Sequence, residues 1–432
     1  MKSNDGVVLS LGSNLGDRLQ NLKSAAQLLG AAGLSEIQIS PVVETAAWLK
    51  PGSPREWNLP YLNLILKAQS NFSAMEGLRV CQGIEQKLGR QTNAVWSPRP
   101  IDIDLILWNG ERMKSPKLNL PHAGAFERPF VLDPWMALSP EQILNDSKSV
   151  LQFRRQLVDP CPVLMGVVNI TPDSFSDGGV NFSEESLREY FKNIAASPPS
   201  IIDLGGQSTR PGATVISESE EWSRLSRALS QVEALHEDRV RPWISIDTTR
   251  AKLARRAIEW GVEMINDVSG FDDPMMLELA ASAQAQFVFM HHLGVPVNRA
   301  VTLPLSSDPV DEVMRWAETK LNLFIKAGVA SERLIFDPGI GFGKTPEQSL
   351  ALIDRVGEFK KLPVRVLMGH SRKSYQAQAK VRYSHLDPSD RDAVTVEQSL
   401  EMAVNGVEFL RVHNVLAHRK AFLQFFSQEN RK

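Results

Sequence analysis

The sequence contains 432 residues, of which 43% are hydrophobic and 23% are charged, and this composition is ordinary for a chain of two or three globular domains. A formal net charge of −2 gives no electrostatic signature of nucleic-acid binding, and two cysteines are too few for a disulfide framework. The N-terminal residues lack the apolar core of a signal peptide, and no apolar run is long enough to cross a bilayer. We therefore expect a cytoplasmic protein with neither nucleic acid nor a membrane as a partner.

Residues 1–145 carry the strand and helix pattern of one small domain. A first helix is predicted to end near Gly30, and a second lies between the capping-box pair Ser73 and Glu76 and the terminating Gly89. Strands are predicted at residues 7–11, 37–43, 61–68 and 101–108. The resulting order βαββαβ is typical of a ferredoxin-like α+β fold.

The last of these strands carries a pair of carboxylates. In the segment RPIDIDLIL, strand alternation places the apolar residues, Leu107 included, on one face and Asp102 and Asp104 together on the other. Two neighbouring carboxylates repel each other unless a cation lies between them, and Mg²⁺ held by carboxylates usually takes phosphates as further ligands. Arg90 and Arg99 flank the pair and could neutralise those phosphates. The alternative is a solvated polar face of an edge strand.

Four motifs of this domain, LGSNLGD, PYLN, IEQKLGR and RPIDIDLILW, resemble in order those of 6-hydroxymethyl-7,8-dihydropterin pyrophosphokinase. The resemblance implies transfer of the terminal diphosphate of ATP to the pterin hydroxymethyl group, with two Mg²⁺ ions on Asp102 and Asp104. It implies that Arg90 and Arg99 stabilise the transferred group. It also implies substrate contacts, which are Thr45, Tyr61 and Asn63 on the pterin side, His122 at the ATP phosphates, and Glu85 and Trp96 nearby.

Regular patterns fade between residues 115 and 162, where proline is frequent, and we place a linker at residues 146–160. Residues 161–432 then alternate short apolar strands with helical segments, which predicts a (β/α)8 TIM barrel and makes the chain a multidomain α/β protein. The strands are predicted at residues 163–169, 201–205, 243–247, 263–266, 286–291, 334–337, 364–368 and 408–413. Helices are predicted at residues 184–196, 218–237, 251–259, 311–327, 346–356 and 394–405.

Barrel enzymes place their chemistry at the C-terminal ends of the strands. The predicted strand ends are Asn169, Gly205 and Gly206, Asp247, Asn266 and Asp267, Met290 and His291, Asp337, Ser371 to Lys373, and Arg411 with His413. Some of these residues could instead cap the next helix, as Asp247 before Thr248 illustrates. As a set they suit a polar heterocycle that carries a phosphate or diphosphate. The segment DPGIGFGKT is not a P-loop, because Pro338 stands where the first glycine is required.

Seven motifs across this domain, NITPDSFSDGG, GGQSTRPG, SIDT, INDVSG, DPGIGFGKT, SRKS and RVH, resemble in order those of dihydropteroate synthase. The resemblance implies condensation of the pterin diphosphate with 4-aminobenzoate, with Mg²⁺ on Asn169 and loops 170–180 and 206–215 closing to exclude water. The implied pterin contacts are Asp247, Asn266, Asp337, Lys373 and Met290. The implied anion contacts are Arg411 and His413, with Ser371 as a further substrate contact. The implied aminobenzoate contacts are Thr209, Arg210, Pro211, Phe342 and Ser374.

Together the resemblances describe a bifunctional enzyme of folate biosynthesis whose first domain makes the substrate of the second. A homodimer through the barrel is a further expectation. One alternative is that one half has lost catalysis and acts as a binding module or scaffold. Another is a pterin-binding barrel that transfers a methyl group to a corrinoid, although the SFSDGG and STRPG loops favour diphosphate displacement. The positions that depart from the two family patterns are Val95, Lys117, Ala123, Gln207 and Asn414.

Overall fold

The computed structural model describes residues 6–50, 52–91, 97–144, 148–170, 200–209, 213–236, 240–298, 300–377 and 390–427, which form two compact units. The first unit comprises the chain up to Val163, Leu235–Arg241 and the segment from Arg419 onward. The second comprises Leu164–Ala234 and Pro242–His418. Within the described ranges, no helix is long and apolar enough to span a membrane.

The first unit contains a five-stranded antiparallel sheet with two helices, which confirms the predicted ferredoxin-like domain. Its strands are β1 (Val7–Ser13), β2 (Ser35–Ile39), β3 (Val43–Thr45), β4 (Tyr61–Gln69) and β5 (Asp102–Trp108). They run in the order β2-β4-β1-β5, and β3 also pairs with β4. The helices are α1 (Arg18–Ala31), which follows β1, and α2 (Ala74–Lys87), which begins at the predicted Ser73–Glu76 capping box.

The single strand predicted at residues 37–43 is wrong, because this segment contributes to two strands, β2 and β3. Pro41 between them has no N–H to donate to a neighbouring strand. The hydroxyl of Ser40 accepts a hydrogen bond from the amide of Ile65 at 2.9 Å instead. The side chain therefore replaces a regular strand contact at this break.

The predicted alternation along β5 holds only as far as Leu105. The pairing with β1 skips Ile106, so an extra residue forms a bulge there. As a result Trp108 joins the hydrophobic core, and Leu107, which was predicted to do so, is only half-buried. The indole lies so close to α2 that a Cβ on Gly77 would be 2.1 Å from the ring.

The proline-rich stretch after β5 is more regular than its sequence suggests. It contains the short strands β6 (Met113–Lys114) and β7 (Asn119–Leu120) and the helices α3 (Pro129–Leu138) and α4 (Val150–Arg154). Helix α3 accommodates Pro129 in its first turn and Pro134 further along. Its buried Asp133 accepts hydrogen bonds from the Arg154 guanidinium at 3.0 Å and from the amide of Cys161 at 2.9 Å.

The second unit is a closed barrel of eight strands with parallel pairing, which confirms the predicted TIM barrel. Its strands are β8 (Val163–Asn169), β9 (Ile201–Gly205), β10 (Trp243–Asp247), β11 (Met264–Asp267), β12 (Gln286–Met290), β13 (Leu334–Asp337), β14 (Arg365–Met368) and β15 (Phe409–Val412). The described helices are α5 (Glu218–His236), α6 (Ala251–Trp260), α7 (Pro274–Ser282), α8 (Pro309–Lys326), α9 (Pro346–Asp354), α10 (Arg391–Val404) and α11 (Val415–Phe425). Helices α7 and α11 were not predicted. The helix predicted at residues 184–196 and the loop from residue 171 to 180 lie outside the described residues.

Candidate active sites

The two carboxylates on β5 lie together on the half-exposed face of the strand, opposite buried Ile103. Asp102 forms ion pairs with both predicted arginines. Arg90 Nη1 lies 2.6 Å from its Oδ1, and Arg99 Nη1 lies 3.2 Å from its Oδ2. Asp104 lies 3.5 Å from Arg128 Nη1 and 3.9 Å from His122 Nε2. The structure thus gathers Asp102, Asp104, Arg90, Arg99 and His122 at one place.

Electrostatics make this carboxylate pair suited to a cation. Burial raises the pKa of Asp104, and the charge of Asp102 raises it further. Among the residues that the structure describes, no cluster of three or more His, Cys, Asp or Glu side chains could hold a metal alone. Two carboxylates are nevertheless sufficient for Mg²⁺ when phosphate oxygens and water complete its shell.

Glu85 on helix α2 contacts both the β5 strand and Arg90. One of its oxygens accepts a hydrogen bond from the amide of Ile103 at 2.8 Å, and it also pairs closely with Arg90. Burial raises the pKa of Glu85 to about 7, against the opposing charge of Arg90. Glu85 therefore joins the strand that carries the aspartates to the arginine that contacts Asp102.

The residues predicted for the pterin side lie on β3 and β4. Asn63 donates a hydrogen bond to the Thr45 hydroxyl at 2.9 Å, and Thr45 is the register partner of Tyr61. Burial raises the pKa of Tyr61, and its hydroxyl interacts with Arg99. Trp96 lies outside the described residues.

Sequence reasoning missed two residues that organise this site. The amide of Arg99 donates to the side-chain oxygen of Asn14 at 2.7 Å, which fixes the arginine loop to the end of β1. Arg128 contacts Asp104 and lies 5.7 Å from the ring centre of Phe130. The sequence signal for Arg128 was its position directly before the apolar segment that forms α3, close to the aromatic Phe130. Of the departures, Lys117 and Ala123 are exposed, and Val95 lies outside the described residues.

In the barrel, Arg411 on β15 joins two aspartates from different strands. Its Nε lies 2.7 Å from Asp203 Oδ2, and its Nη2 lies 2.8 Å from Asp247 Oδ2. Asn266 donates to the same Asp203 oxygen at 3.2 Å. Burial raises the pKa of Asp247 to about 7, with Arg411 opposing the shift. Asp247 does not cap the next helix, because α6 begins only at Ala251.

Asp337 and Lys373 form the second part of this constellation. Asp337 Oδ1 accepts the amide of Gly339 at 2.7 Å, and burial raises the pKa of Asp337. Lys373 donates to the carbonyl of Ile340, and its ammonium lies 4.7 Å from the ring centre of Phe342. Burial lowers the pKa of Lys373 to about 8, although the Asp337 carboxylate opposes the shift.

Gly369, which follows β14, lies between the two parts of the constellation. A Cβ there would be 3.1 Å from Asp337 Oδ2 and 4.0 Å from Arg411 Cδ. The lack of a side chain therefore leaves space where the carboxylate and the arginine approach each other.

The remaining predicted contacts surround this centre at the strand ends. His413 Nδ1 lies 2.9 Å from the Ser371 hydroxyl, and Met290 at the end of β12 is buried. Asn169 ends β8 opposite Gly205. Thr209 is half-buried and Ser374 is exposed, and their predicted ligand contacts stay predictions. Arg210 and Pro211 lie outside the described residues.

In the barrel, the two residues that depart from the family pattern are Gln207 and Asn414, and both have hydrogen-bond partners. Gln207 Oε1 accepts from Arg250 Nη2 at 3.3 Å, and the same arginine pairs with the buried Glu221 at 3.0 Å. Asn414 donates to Asp392 at 3.0 Å. Both amides are therefore held by neighbouring charged groups of the fold.

The lysine of DPGIGFGKT is structural. Lys344 is buried, its ammonium lies 2.8 Å from His291 Nδ1, and it donates to the Phe342 carbonyl at 3.0 Å. Burial holds its pKa well below the usual lysine value. This arrangement agrees with the rejection of a P-loop.

Asp203 is the most important omission from the sequence prediction. It lies in the middle of β9 and is fully buried, yet it holds Arg411 and Asn266. Its position inside the apolar run IIDLGG was a signal, because a carboxylate is rarely buried without a partner. The prediction considered only the strand ends.

Two family models match this chain. The model for 7,8-dihydro-6-hydroxymethylpterin-pyrophosphokinase matches residues 8–140, and the model for pterin binding enzyme matches residues 165–413. The folate synthesis bifunctional protein of Chlamydia caviae is 35% identical, and the alignment covers 96% of each chain. The folic acid synthesis protein fol1 of Schizosaccharomyces pombe is also 35% identical, over 94% of this chain and 57% of the relative.

Two solved structures of dihydropteroate synthases are each similar to about three fifths of this chain. Dihydropteroate synthase of Anaplasma phagocytophilum, with bound 6-hydroxymethylpterin-monophosphate, is 33% identical with a TM-score of 0.53, over 60% of this chain and 96% of that one. The enzyme of Xanthomonas albilineans with 4-aminobenzoic acid is 33% identical with a TM-score of 0.54, over 61% of this chain and 92% of that one.

Proposed function

Since the chain belongs to the family of bifunctional folate synthesis proteins, with a 7,8-dihydro-6-hydroxymethylpterin-pyrophosphokinase domain followed by a dihydropteroate synthase domain, we propose which of its residues perform the two reactions. We assign residues 1–145 to diphosphate transfer, 146–160 to a linker and 161–432 to condensation. The substrates in this proposal are ATP, 6-hydroxymethyl-7,8-dihydropterin and 4-aminobenzoate.

In the first reaction, Asp102 and Asp104 would hold two Mg²⁺ ions, which would neutralise the charge of the ATP phosphates. Arg90 and Arg99 contact the transferred diphosphate and exchange part of their pairing with Asp102 for it. His122 contacts the ATP phosphates. The pterin lies beside Thr45, Tyr61 and Asn63, with Glu85 and Trp96 as the remaining assigned contacts.

In the second reaction, the buried acceptors Asp247, Asn266 and Asp337 bind the pterin ring with Lys373, and Met290 lies against its face. As the pterin C–O bond breaks, these carboxylates stabilise positive charge on the pterin methylene group. Arg411 and His413 stabilise the departing diphosphate, and Asn169 would hold an Mg²⁺ ion that neutralises part of the diphosphate charge. The amine of 4-aminobenzoate then attacks the methylene group and loses a proton. Thr209, Arg210, Pro211, Phe342, Ser371 and Ser374 complete the assigned contacts.

The observation that carries the first assignment is the convergence of three cationic side chains, Arg90, Arg99 and Arg128, on a carboxylate pair. The test replaces Asp102 or Asp104 with Asn, which keeps the shape and removes the charge. We expect AMP release from ATP, Mg²⁺ and the pterin to fall by at least about 100-fold, because metal binding and charge stabilisation are lost. Condensation with supplied pterin diphosphate should stay at the wild-type rate.

The matched control is Glu127→Gln, which removes an exposed carboxylate near the site and should leave both rates unchanged. Undiminished AMP release by both aspartate variants would refute the assignment. If the wild-type chain condensed supplied pterin diphosphate but released no AMP, its first half would be a binding module rather than an enzyme.

A further inference from the structure

Two neighbouring loops at the C-terminal ends of the barrel strands carry three of the side chains assigned to ligand binding. Ser371 and Lys373 follow β14, and His413 follows β15. The loops contact each other directly, since the Ser371 hydroxyl lies 2.9 Å from His413 Nδ1 and accepts the amide of His413 at 3.3 Å. The relative position of the two loops therefore decides whether these groups can bind one ligand together.

The residue between Ser371 and Lys373 has an unusual backbone conformation. Arg372 has a φ of 56°, in the left-handed region that residues other than glycine rarely adopt. Such a conformation persists where surrounding contacts fix it. Here the guanidinium donates to both carboxylate oxygens of Asp392 on α10, with Nε 2.7 Å from Oδ1 and Nη2 2.8 Å from Oδ2. This bidentate contact fixes the orientation of Arg372 and thereby the backbone between the two assigned ligand contacts.

The same carboxylate also contacts the second loop. Asn414, directly after His413, donates its side-chain amide to Asp392 Oδ2 at 3.0 Å. The hydrogen bond from Arg372 lowers the pKa of Asp392, and the hydrogen bond from Asn414 lowers it further. An ionised Asp392 therefore joins the two loops, one through a guanidinium and the other through an amide.

A second, buried chain of hydrogen bonds joins the same loops through α10. His370 Nε2 lies 3.0 Å from the Ser399 hydroxyl, which lies 2.9 Å from His418 Nε2. His418 Nδ1 donates to the carbonyl of Asn414 at 2.7 Å. The buried chain uses the backbone of Asn414, whereas the contact with Asp392 uses its side chain. A substitution of the Asn414 side chain can therefore disturb the contact with Asp392 and leave the buried chain in place.

We propose that Asp392 is a positioning residue for the condensation reaction, and that Asn414 is required because its amide donates to this carboxylate. The inference rests on the proposed function, since it takes Ser371, Lys373 and His413 as ligand contacts. Asp392 sets the distance between the two loops and so presents the three groups to the pterin diphosphate together. A second carboxylate in place of the amide would repel Asp392 and separate the loops.

The test is Asn414→Asp in the full-length chain. Asn414 immediately precedes α11, and its Oδ1 accepts the amide of Ala417 at 3.0 Å, a capping contact that a carboxylate also makes. The substitution thus keeps the helix cap and the size of the side chain. It removes the donor to Asp392 and adds a charge that Asp392 repels.

Condensation is measured as a function of pterin diphosphate concentration at saturating 4-aminobenzoate, and then the reverse. We expect the KM for pterin diphosphate to rise about tenfold in Asn414→Asp, since Arg372 offsets part of the repulsion between the carboxylates. Inhibition by inorganic diphosphate should weaken as well, because His413 is among the displaced groups. The KM for 4-aminobenzoate should rise less, since Thr209 and Phe342 lie on other loops.

The rescuing variant combines Asn414→Asp with Asp392→Asn, which exchanges the carboxylate and the amide and restores a single negative charge opposite Arg372. It should recover most of the affinity for pterin diphosphate. The matched control is Asn322→Asp on the exposed surface of α8, which makes the same chemical change outside the two loops. Both KM values of this control should equal those of the wild type.

An unchanged KM for pterin diphosphate in Asn414→Asp would overturn the inference, and so would a combined variant that is no better than Asn414→Asp alone. An equal rise in both KM values with a lower midpoint of urea unfolding would also overturn it, because a general loss of structure would then explain the effect. Failure of the proposed function is distinguishable, because the wild-type chain would then not condense supplied pterin diphosphate with 4-aminobenzoate.

Discussion

Asp203 should be needed for dihydropteroate synthesis although it lies below the strand ends where the substrates are assigned. Its carboxylate accepts from Arg411 at 2.7 Å and from Asn266 at 3.2 Å, and its other oxygen has no hydrogen-bond partner among the described residues. The perturbation is Asp203→Ala, which leaves Arg411 with Asp247 as its remaining partner in this cluster. Asp203 is thus a positioning residue for two proposed ligand-binding groups.

The magnitude follows from the burial of this pair. Removal of one partner from a buried ion pair costs ~3–5 kcal/mol. Since Asp247 keeps one of the two contacts of Arg411, we expect the lower end, about 3 kcal/mol. A free energy of 1.4 kcal/mol corresponds to a factor of ten, so full expression of this cost in the transition state lowers kcat/KM about 100-fold. Asp203→Asn keeps an oxygen acceptor, so we expect its kcat/KM to be only about tenfold lower than that of the wild type.

The assay measures condensation of supplied pterin diphosphate with 4-aminobenzoate, together with the midpoint of urea unfolding. Ser245→Ala is the matched control, because Ser245 pairs with Asp203 in register and its buried hydroxyl has no partner within the described part of the chain. AMP release by the same molecules should be unaffected. The reasoning is refuted if Asp203→Ala retains the wild-type kcat/KM and unfolding midpoint.

Two further predictions concern pH and packing. Because burial lowers the pKa of Lys373 to about 8, the ammonium is lost as pH rises through that value. We expect condensation to decline above pH about 8, and Lys373→Arg, which stays charged, to remove this decline from a pH profile; an unshifted profile would contradict the assignment. Gly77→Ala should destabilise the first domain by about 1–3 kcal/mol in urea unfolding, because its Cβ would meet the Trp108 ring at 2.1 Å. Gly83→Ala on the same helix meets no neighbour within 4 Å and should stabilise by about 0.5–1 kcal/mol, and equal effects of the two changes would refute the packing argument.

The barrel and the polar strand ends could be predicted because parallel strands buried on both faces leave a simple signal. Each is a short apolar run, and the run ends where the chain reaches the open end of the barrel. The carboxylate pair on β5 was predictable for a similar reason, since strict alternation separates Asp102 from Ile103. Local sequence rules are sufficient where the structure depends on neighbours along the chain.

The same rules fail where distant contacts decide the structure. The bulge at Ile106 depends on how β5 pairs with β1, and the alternation alone gives no sign of it. The regular helix α3 was hidden by Pro129 and Pro134, which tertiary packing tolerates. Phe422 and Phe426 were assigned to no predicted element, and only the folded chain brings them together with Thr45.

The charges at the centre of the barrel indicate the kind of ring that it would bind. Burial raises the pKa values of Asp247 and Asp337, which means that each carboxylate lacks part of the solvation that it would have in water. Arg411 supplies donors to Asp203 and to one oxygen of Asp247, and Asp337 has its own backbone donor at Gly339. Acceptor capacity therefore remains on both Asp247 and Asp337. A ring with several N–H donors along one edge would satisfy these acceptors. A ring that offers only acceptors would leave them desolvated and unpaired. The remaining acceptor capacity therefore supports the proposed binding of a pterin at these carboxylates.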